Sequence, residues 1–231
     1  MASGNKRAAT IKERYYGLYA RALDVNKDES GTLSSRECIV GSRMQVKIIS
    51  AADLEDADEE AQATLGLVEL RTQSGKPVGR LDRDVSTSII RRIDAGMNCA
   101  AFLSAVLFRE ADGLFCGEFA LVCFDAQQEA MWERWCTKLS YRISKAERPN
   151  VDLSAKDISQ VQESDGMWCA MKTKPAEKLD KGFAYFKKRR TPSDSLIEMA
   201  MSGKTGCKVG AIIFWIVVLA GIAYLVYRLV S

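Results

Sequence analysis

The chain has 231 residues, no histidine and a formal net charge of +3. Without histidine, serine–histidine and cysteine–histidine nucleophile pairs, histidine metal ligands and the usual general base near neutral pH are excluded. The seven cysteines include no Cys-x-x-Cys pair, and their odd number fits no closed disulfide framework. We therefore expect reduced, structural cysteines, no metal or cofactor site and no enzymatic activity.

The first segment, residues 1–37, is predicted to form an amphipathic helix followed by a polar linker. The helix is expected over residues 8–23, where apolar side chains recur at helical spacing: Ile11, Tyr15, Leu18, Tyr19 and Ala22. Residues 24–37 are polar and contain a Ser-Gly-Thr sequence, which is typical of a turn in a linker.

Residues 38–148 predict a small α+β domain, built from a curled, barrel-like antiparallel sheet and two helices. Apolar and β-branched runs predict the strands, over residues 38–49, 65–71, 78–81, 99–108 and 114–124. Asp112 and Gly113 supply an Asp-Gly turn between the last two strands, which favours a hairpin there.

Capping residues set the limits of the two helices in this domain. Asp82 or Asp84 can cap the start of the first helix, and Gly96 suits the left-handed conformation that ends it. The second helix is expected over residues 126–145, and Pro149 lies just beyond its end.

Charge is distributed unevenly along the remaining chain. Residues 51–63 hold six acids and no base, whereas residues 166–208 hold ten bases against four acids. We interpret residues 149–208 as a polar to basic juxtamembrane linker. Its aromatic and basic cluster is predicted to contact anionic lipid headgroups, and it consists of Phe183, Tyr185, Phe186, Lys187, Lys188, Arg189 and Arg190.

Residues 209–228 predict a transmembrane helix. The nineteen residues from Val209 to Tyr227 carry no charge, and a helix of that length spans about 28 Å, close to the hydrocarbon thickness of a bilayer. Basic residues before this segment outnumber the single Arg228 after it, which favours a cytoplasmic location for the preceding domain. The sequence thus predicts a tail-anchored, single-pass membrane protein. Gly206 and Gly210 leave homodimerisation through this helix open.

The centre of the chain resembles a known family. Residues 75–84 read GKPVGRLDRD and lead into the helix that ends at Gly96, while residues 40–43 read VGSR. This combination resembles the signature of HIRAN domains and covers roughly residues 38–124. The resemblance implies the fold of that family and binding of single-stranded DNA ends. It also implies that Arg43 lies near the end-binding pocket, with Arg80 and Arg83 beside it as phosphate contacts.

Two functions are compatible with these features. In the first, a tail-anchored protein presents a HIRAN-like, non-catalytic domain to nucleic acid. In the second, the same domain is an adaptor that recruits a protein partner to the membrane, an interpretation that suits the acidic run at residues 51–63 and the tyrosines near the N-terminus. The sequence leaves the choice between nucleic acid and protein open.

Overall fold

The computed structural model describes residues 14–22, 24–50, 66–170, 173 and 179–188. These residues form an α+β fold with an antiparallel sheet of seven strands and four α-helices. The strands are β1 (Tyr15–Ala22), β2 (Arg43–Ile49), β3 (Leu67–Arg71), β4 (Pro77–Arg80), β5 (Met97–Arg109), β6 (Leu114–Asp125) and β7 (Phe183–Lys187). The helices are α1 (Lys27–Ser34), α2 (Arg83–Asp94), α3 (Glu129–Ser144) and α4 (Ala155–Glu163).

Strands β5 and β6 form the longest pairing in the sheet. The predicted hairpin at Asp112 and Gly113 joins them, and Gly113 has a positive φ of 71°. Most residues of both strands are buried, including neighbours that point to opposite faces. Burial of both faces explains why these strands read as nearly continuous apolar runs rather than as alternating patterns.

Helices cover both faces of this hairpin. One face packs with α1 and α2, and its core includes Leu33, Ile89 and Leu121. The other face packs with α3 and α4, and its core includes Trp132, Trp135 and Phe124. We refer to these as the α1–α2 face and the α3–α4 face. Each layer of helices buries apolar surface, and this burial stabilises the fold by about 25 cal/mol for each Å² removed from water.

The sheet is open rather than barrel-like. Its order is β1-β6-β5-β2-β3-β4, and β7 adds to β5 beside β2. A single isolated bridge between Asp24 and Arg80 brings β4 next to the chain that follows β1. One bridge is not a strand pairing, so the α+β class and the antiparallel sheet are confirmed, whereas the predicted barrel-like closure is wrong.

The predicted N-terminal helix is wrong where the structure describes it, because Tyr15–Ala22 is strand β1, paired with β6. Tyr15 and Tyr19 pack on the α3–α4 face, whereas Leu18 and Ala20 pack on the α1–α2 face. A strand buried on both faces has apolar residues at many spacings, including those of a helix.

The predicted linkers also contain regular structure. Within residues 24–37 lies helix α1, which begins with a capping box between Asn26 and Glu29 and buries Leu33 completely. Within residues 149–208 lie helix α4 and strand β7. The fold therefore extends beyond the predicted domain of residues 38–148 on both sides.

Several predicted elements are confirmed in the centre of the chain. The hairpin of β3 and β4, helix α2 with Asp82 as its N-cap, and helix α3 all form. Gly96 follows α2 with a φ of 82°. The strand expected from residue 38 begins only at Arg43, although Cys38, Ile39 and Val40 are buried.

The predicted membrane span at residues 209–228 lies outside the described residues. Within the described residues, every helix is too short or too polar to cross a bilayer.

Gly17 provides a test of how tightly β1 packs. A Cβ atom at Gly17 would lie 2.0 Å from the carbonyl oxygen of Val151, whereas a Cβ at Gly31 in α1 meets nothing within 4 Å. We expect Gly17→Ala to lower the free energy of unfolding by about 2 kcal/mol or more, and Gly31→Ala to raise it by up to about 1 kcal/mol. Urea unfolding of the full-length protein in detergent measures both. Equal stability of the two variants would contradict the placement of β1.

Candidate nucleic-acid interface

Arg43 and Arg80 both belong to the α3–α4 face of the sheet. Arg43 pairs with Phe102, which lies in the core of that face. Because side chains alternate along a strand, Gln45 and Lys47 follow Arg43 on the same side. Both are exposed. The polar alternation Arg-x-Gln-x-Lys was the sequence signal that could have identified Lys47, which the sequence analysis missed.

The neighbouring strands continue this basic row. Lys47 pairs with Glu69, and Glu69 pairs with Arg80. Arg71 lies two residues along from Glu69, and its Nε donates a hydrogen bond to the buried Glu69 carboxylate. We define the basic sheet face as Arg43, Lys47, Arg71 and Arg80.

The two predicted arginines on this face are not adjacent. Arg80 is in register with Lys47, four residues along β2 from Arg43 and two strands across. Strand geometry places the two backbone positions about 16 Å apart. Arg83 is separate from both, because it is the exposed first residue of α2, which packs on the other face. Of the three predicted arginines, the fold therefore brings Arg43 and Arg80 onto one face and leaves Arg83 on the other.

Arg43 is held by an acid that the sequence analysis did not identify. Its Nη1 donates to Oε1 and Oε2 of Glu133 at 2.8 Å and 2.6 Å. Their side chains remain 41% and 38% exposed. At such exposure an ion pair contributes little to stability, so Glu133 holds Arg43 in place without hiding it from a ligand.

Two backbone features bring α3 close enough for this contact. Gly41 has a φ of 88°, and a Cβ there would lie 2.7 Å from the carbonyl oxygen of Ser140. The hydroxyl of Ser140 donates to the carbonyl oxygen of Gly41 at 2.6 Å. Glycine is therefore required two residues before Arg43, where α3 crosses the start of β2.

Strand β2 separates from β5 after Met44, one residue beyond Arg43. The pairing consists of Arg43 with Phe102 and Met44 with Ala101. Among the described residues, no strand pairs with Gln45–Ile49 or with Met97–Ala100 on the side where each faces the other. We call the space between these two segments the β2–β5 cleft. Helix α2 packs against β3 and β5 and closes the cleft on the α1–α2 face.

Two cysteine thiols, of Cys99 and Cys136, lie close enough to Arg43 for its charge to act on them. Burial raises the pKa of Cys136 to about 12, although the guanidinium of Arg43 opposes the shift. A hydrogen bond with Cys123, followed by burial, raises the pKa of Cys99, and the Arg43 charge again opposes it. These thiols are uncharged at neutral pH, so they do not add negative charge that would offset the positive charge of Arg43.

The predicted membrane-surface residues divide into inward and outward groups. Phe183 and Tyr185 pack against the core of β7 and β5. Lys187 donates from Nζ to the carbonyl oxygens of Leu33, Ser35 and Cys38 at the end of α1. These three side chains therefore face the fold in the described structure.

Only the other described members of that predicted surface face outward. Phe186 is 50% exposed and packs on Phe115 with a centroid distance of 4.5 Å. Lys188 is exposed, with its ammonium 4.7 Å from the ring centroid of Tyr185. Arg189 and Arg190 lie outside the described residues.

The described residues contain no group of three or more cysteines, aspartates and glutamates that could hold a metal ion. The sequence matches no protein-family model, no curated protein and no solved structure. The function proposed below therefore depends on the geometry of the domain and on the sequence resemblance.

Buried thiols predict a loss of stability at alkaline pH. Burial raises the pKa of both Cys38 and Cys136 from about 9 to about 12. Above pH 9 the unfolded chain releases these protons while the folded protein keeps them, so stability falls as pH rises. We expect each thiol to contribute a loss of about 1 kcal/mol between pH 8 and pH 10.

Urea unfolding at the two pH values, compared with the Cys38→Ala/Cys136→Ala variant, measures this contribution. The variant is expected to lose less stability between pH 8 and pH 10 than the natural sequence. An identical loss in both proteins would show that these thiols do not retain their protons.

Proposed function

We propose that this chain is a non-catalytic binding protein, tethered to a membrane by residues 209–228, whose domain binds single-stranded nucleic acid. The binding site comprises the β2–β5 cleft and the basic sheet face beside it. One observation carries the proposal: β2 leaves β5 one residue after Arg43, where the basic row runs beside a strand edge that has no strand partner among the described residues.

The basic sheet face suits phosphate groups. Guanidinium groups bind phosphate oxygens through two parallel hydrogen bonds, and lysine adds a mobile point charge. Arg43 and Lys47 lie on one strand, and their row continues across the sheet to Arg80. Arg71 is hydrogen-bonded to the buried carboxylate of Glu69. The side chains of the ion pair of Arg43 with Glu133 are instead 41% and 38% exposed, and Lys47 is exposed, so Arg43 and Lys47 are the principal phosphate contacts.

Recognition of bases contributes little in this proposal. The side chains of β2 and β3 that share this face are Arg43, Gln45, Lys47, Ile49, Leu67, Glu69 and Arg71, and none of them is aromatic. Base stacking on aromatic rings is the usual source of sequence-independent affinity beyond phosphate contacts. Affinity should therefore come from counterion release and should decline steeply with salt. The HIRAN resemblance supports a further preference for a free 3′ end near Arg43.

The tether would keep the domain close to the membrane. Twenty residues, 189–208, separate Lys188 from the uncharged segment. A fully extended chain of that length reaches about 70 Å. Their bases, like those of the preceding cluster, favour the cytoplasmic side for the domain.

A protein partner is the second candidate, and the unpaired strand edges favour it. An extended peptide can add to an exposed strand edge through main-chain hydrogen bonds. Met97–Ala100 and Gln45–Ile49 each offer such an edge at the β2–β5 cleft. An adaptor would use these edges to recruit a partner to the membrane.

Fluorescence anisotropy of the full-length protein in detergent tests the nucleic-acid proposal. The labelled single-stranded DNA carries a free 3′-hydroxyl, carries a blocked 3′ end, or is circular, and each is measured across a salt series. We expect Arg43→Ala and Lys47→Ala each to weaken binding about fivefold to tenfold, the loss of about 1 kcal/mol per phosphate contact. Glu133→Gln should strengthen binding, because it releases Arg43 from its carboxylate.

Arg134→Ala is the matched control, since Arg134 lies on α3 next to Glu133 but pairs with Asp165. An equal effect of Arg43→Ala and Arg134→Ala would indicate a diffuse charge effect and not the proposed site. Absence of binding to all three probes at low salt would reject nucleic acid as the ligand. Crosslinking of a strand-adding peptide at the cleft would then test the adaptor.

Membrane insertion has its own test. We expect the full-length protein, added to microsomes after synthesis, to resist extraction by alkaline carbonate, because residues 209–228 bury a nineteen-residue uncharged segment. A chain that ends at residue 208 should be extracted completely. Extraction of both proteins would contradict the predicted anchor and would leave the nucleic-acid test unaffected.

A further inference from the structure

Two cysteines stand directly opposite each other in the central hairpin. Cys99 of β5 pairs in register with Cys123 of β6, and their Sγ atoms are 3.3 Å apart. Opposite residues of antiparallel strands have Cα atoms about 4.5–5.5 Å apart. This range lies within the Cα separations that disulfides accept. A bond between the two sulfurs therefore requires little movement of the backbone.

This arrangement is specific to the one pair. Cys116 of β6 stands opposite Leu107, Cys136 is on helix α3, and Cys38 precedes β2. Among the described strands, no other two cysteines are register partners. Pairing at Cys99 and Cys123 is consequently set by the sheet and not by chance encounters of exposed thiols.

The two thiols differ in their access to solvent. Cys123 is fully buried, whereas Cys99 is partly exposed. Cys99 belongs to Met97–Ala100, the segment of β5 whose outer edge borders the β2–β5 cleft and has no strand partner among the described residues. Because Cys99 is partly exposed, a small reagent can reach its sulfur directly, whereas the fully buried Cys123 is reached only through Cys99.

We propose that Cys99 and Cys123 form a reversible thiol–disulfide exchange site whose reactant is a low-molecular-weight disulfide. The Cys99 thiolate attacks one sulfur of the small disulfide, forms a mixed disulfide and expels one thiolate of the reagent. The Cys123 thiol then loses its proton to solvent, and its thiolate attacks the Cys99 sulfur. That step forms the Cys99–Cys123 disulfide and expels the second thiolate. Two protein thiols are oxidised, and one small disulfide is reduced to two thiols.

The surroundings of Cys99 determine how fast this exchange proceeds. The Cys123 hydrogen bond and burial raise the pKa of Cys99, and the Arg43 guanidinium partly offsets them. Since the thiolate is the nucleophile, exchange is slow at neutral pH and accelerates as pH rises. In a reducing cytoplasm the pair rests as two thiols. The site is independent of which macromolecule the domain binds.

The experiment incubates the full-length protein in detergent with oxidised glutathione at pH 8. Remaining thiols are then blocked, and proteolytic fragments are analysed by mass spectrometry. The Cys116→Ser variant serves as the background, because it leaves Cys123 as the only cysteine of β6. We expect a fragment that links Cys99 to Cys123 and that is lost on reduction. The cross-link should also move urea unfolding to a higher midpoint.

Single variants separate the two steps. Cys123→Ser should leave a stable glutathione adduct on Cys99, because no second thiol displaces it. Cys99→Ser should leave Cys123 unmodified, because Cys123 alone cannot be reached. Equal urea midpoints of the reduced proteins exclude misfolding. An unmodified Cys99 in the natural sequence, or a persistent glutathione adduct there without cross-linking, would overturn the proposal.

Discussion

The side chains of β5 and β6 are apolar on both sides of the sheet, so water must be excluded from two faces at once. Helices α1 and α2 cover one side and α3 and α4 cover the other. The edge strand β1 packs on both sides in the same way, with Tyr15 and Tyr19 on the α3–α4 face and Leu18, Ala20 and Ala22 on the α1–α2 face. Every other element is positioned by the need to complete one of these two layers. The packing explains why segments far apart in sequence, near residues 15 and 185, belong to one sheet.

The two layers do not extend equally far across the sheet. On the α1–α2 face, the core continues through β2, β3 and β4, where it includes Met44, Leu70 and Val78. On the α3–α4 face, α3 packs against β5 and β6, and Gln45 and Lys47, the next residues of β2 on that face after Arg43, are polar and exposed. Arg43 therefore lies at the boundary where an apolar interface becomes a charged surface. A ligand that needs both an arginine and an open strand edge finds them together only at such a boundary.

The sequence predicts those elements whose local signals agree with their burial. Helix α2 has an N-cap at Asp82, a glycine after its end and a one-sided apolar pattern, and it forms as expected. The prediction of a helix in place of β1 was wrong because burial of both faces removes the period-two alternation that distinguishes a strand. Helix α1 was missed although Asn26 and Glu29 form a capping box, because its composition is polar. The sequence therefore contained a helix-capping signal, but the polar composition of the segment favoured a linker.

The candidate site was less predictable than the fold, for a geometric reason. Arg43 and Lys47 follow from alternation along one strand, but the contact of Arg43 with Glu133 joins residues ninety positions apart. No local sequence pattern predicts a contact between residues so far apart in the chain. The separation of Arg43 from Arg80 depends on the register of three strands. The apolar pattern of a strand predicts the face on which a residue lies, but not which residue stands opposite it in the next strand. Alternation in β7 likewise divides the predicted membrane-surface residues, because it turns Phe183, Tyr185 and Lys187 toward the fold.

Lys187 makes the C-terminal end of β7 resistant to a pulling force. Its ammonium group is held by the carbonyl oxygens of Leu33, Ser35 and Cys38, at the last turn of α1 and just beyond it. Tension along the chain beyond Lys188 would peel an edge strand such as β7 from its open end, breaking one backbone contact at a time. The three hydrogen bonds of Lys187 lie at that end, so they must break before β7 begins to separate from β5. A force applied to the chain beyond Lys188 therefore meets its greatest resistance at the start of the detachment of β7.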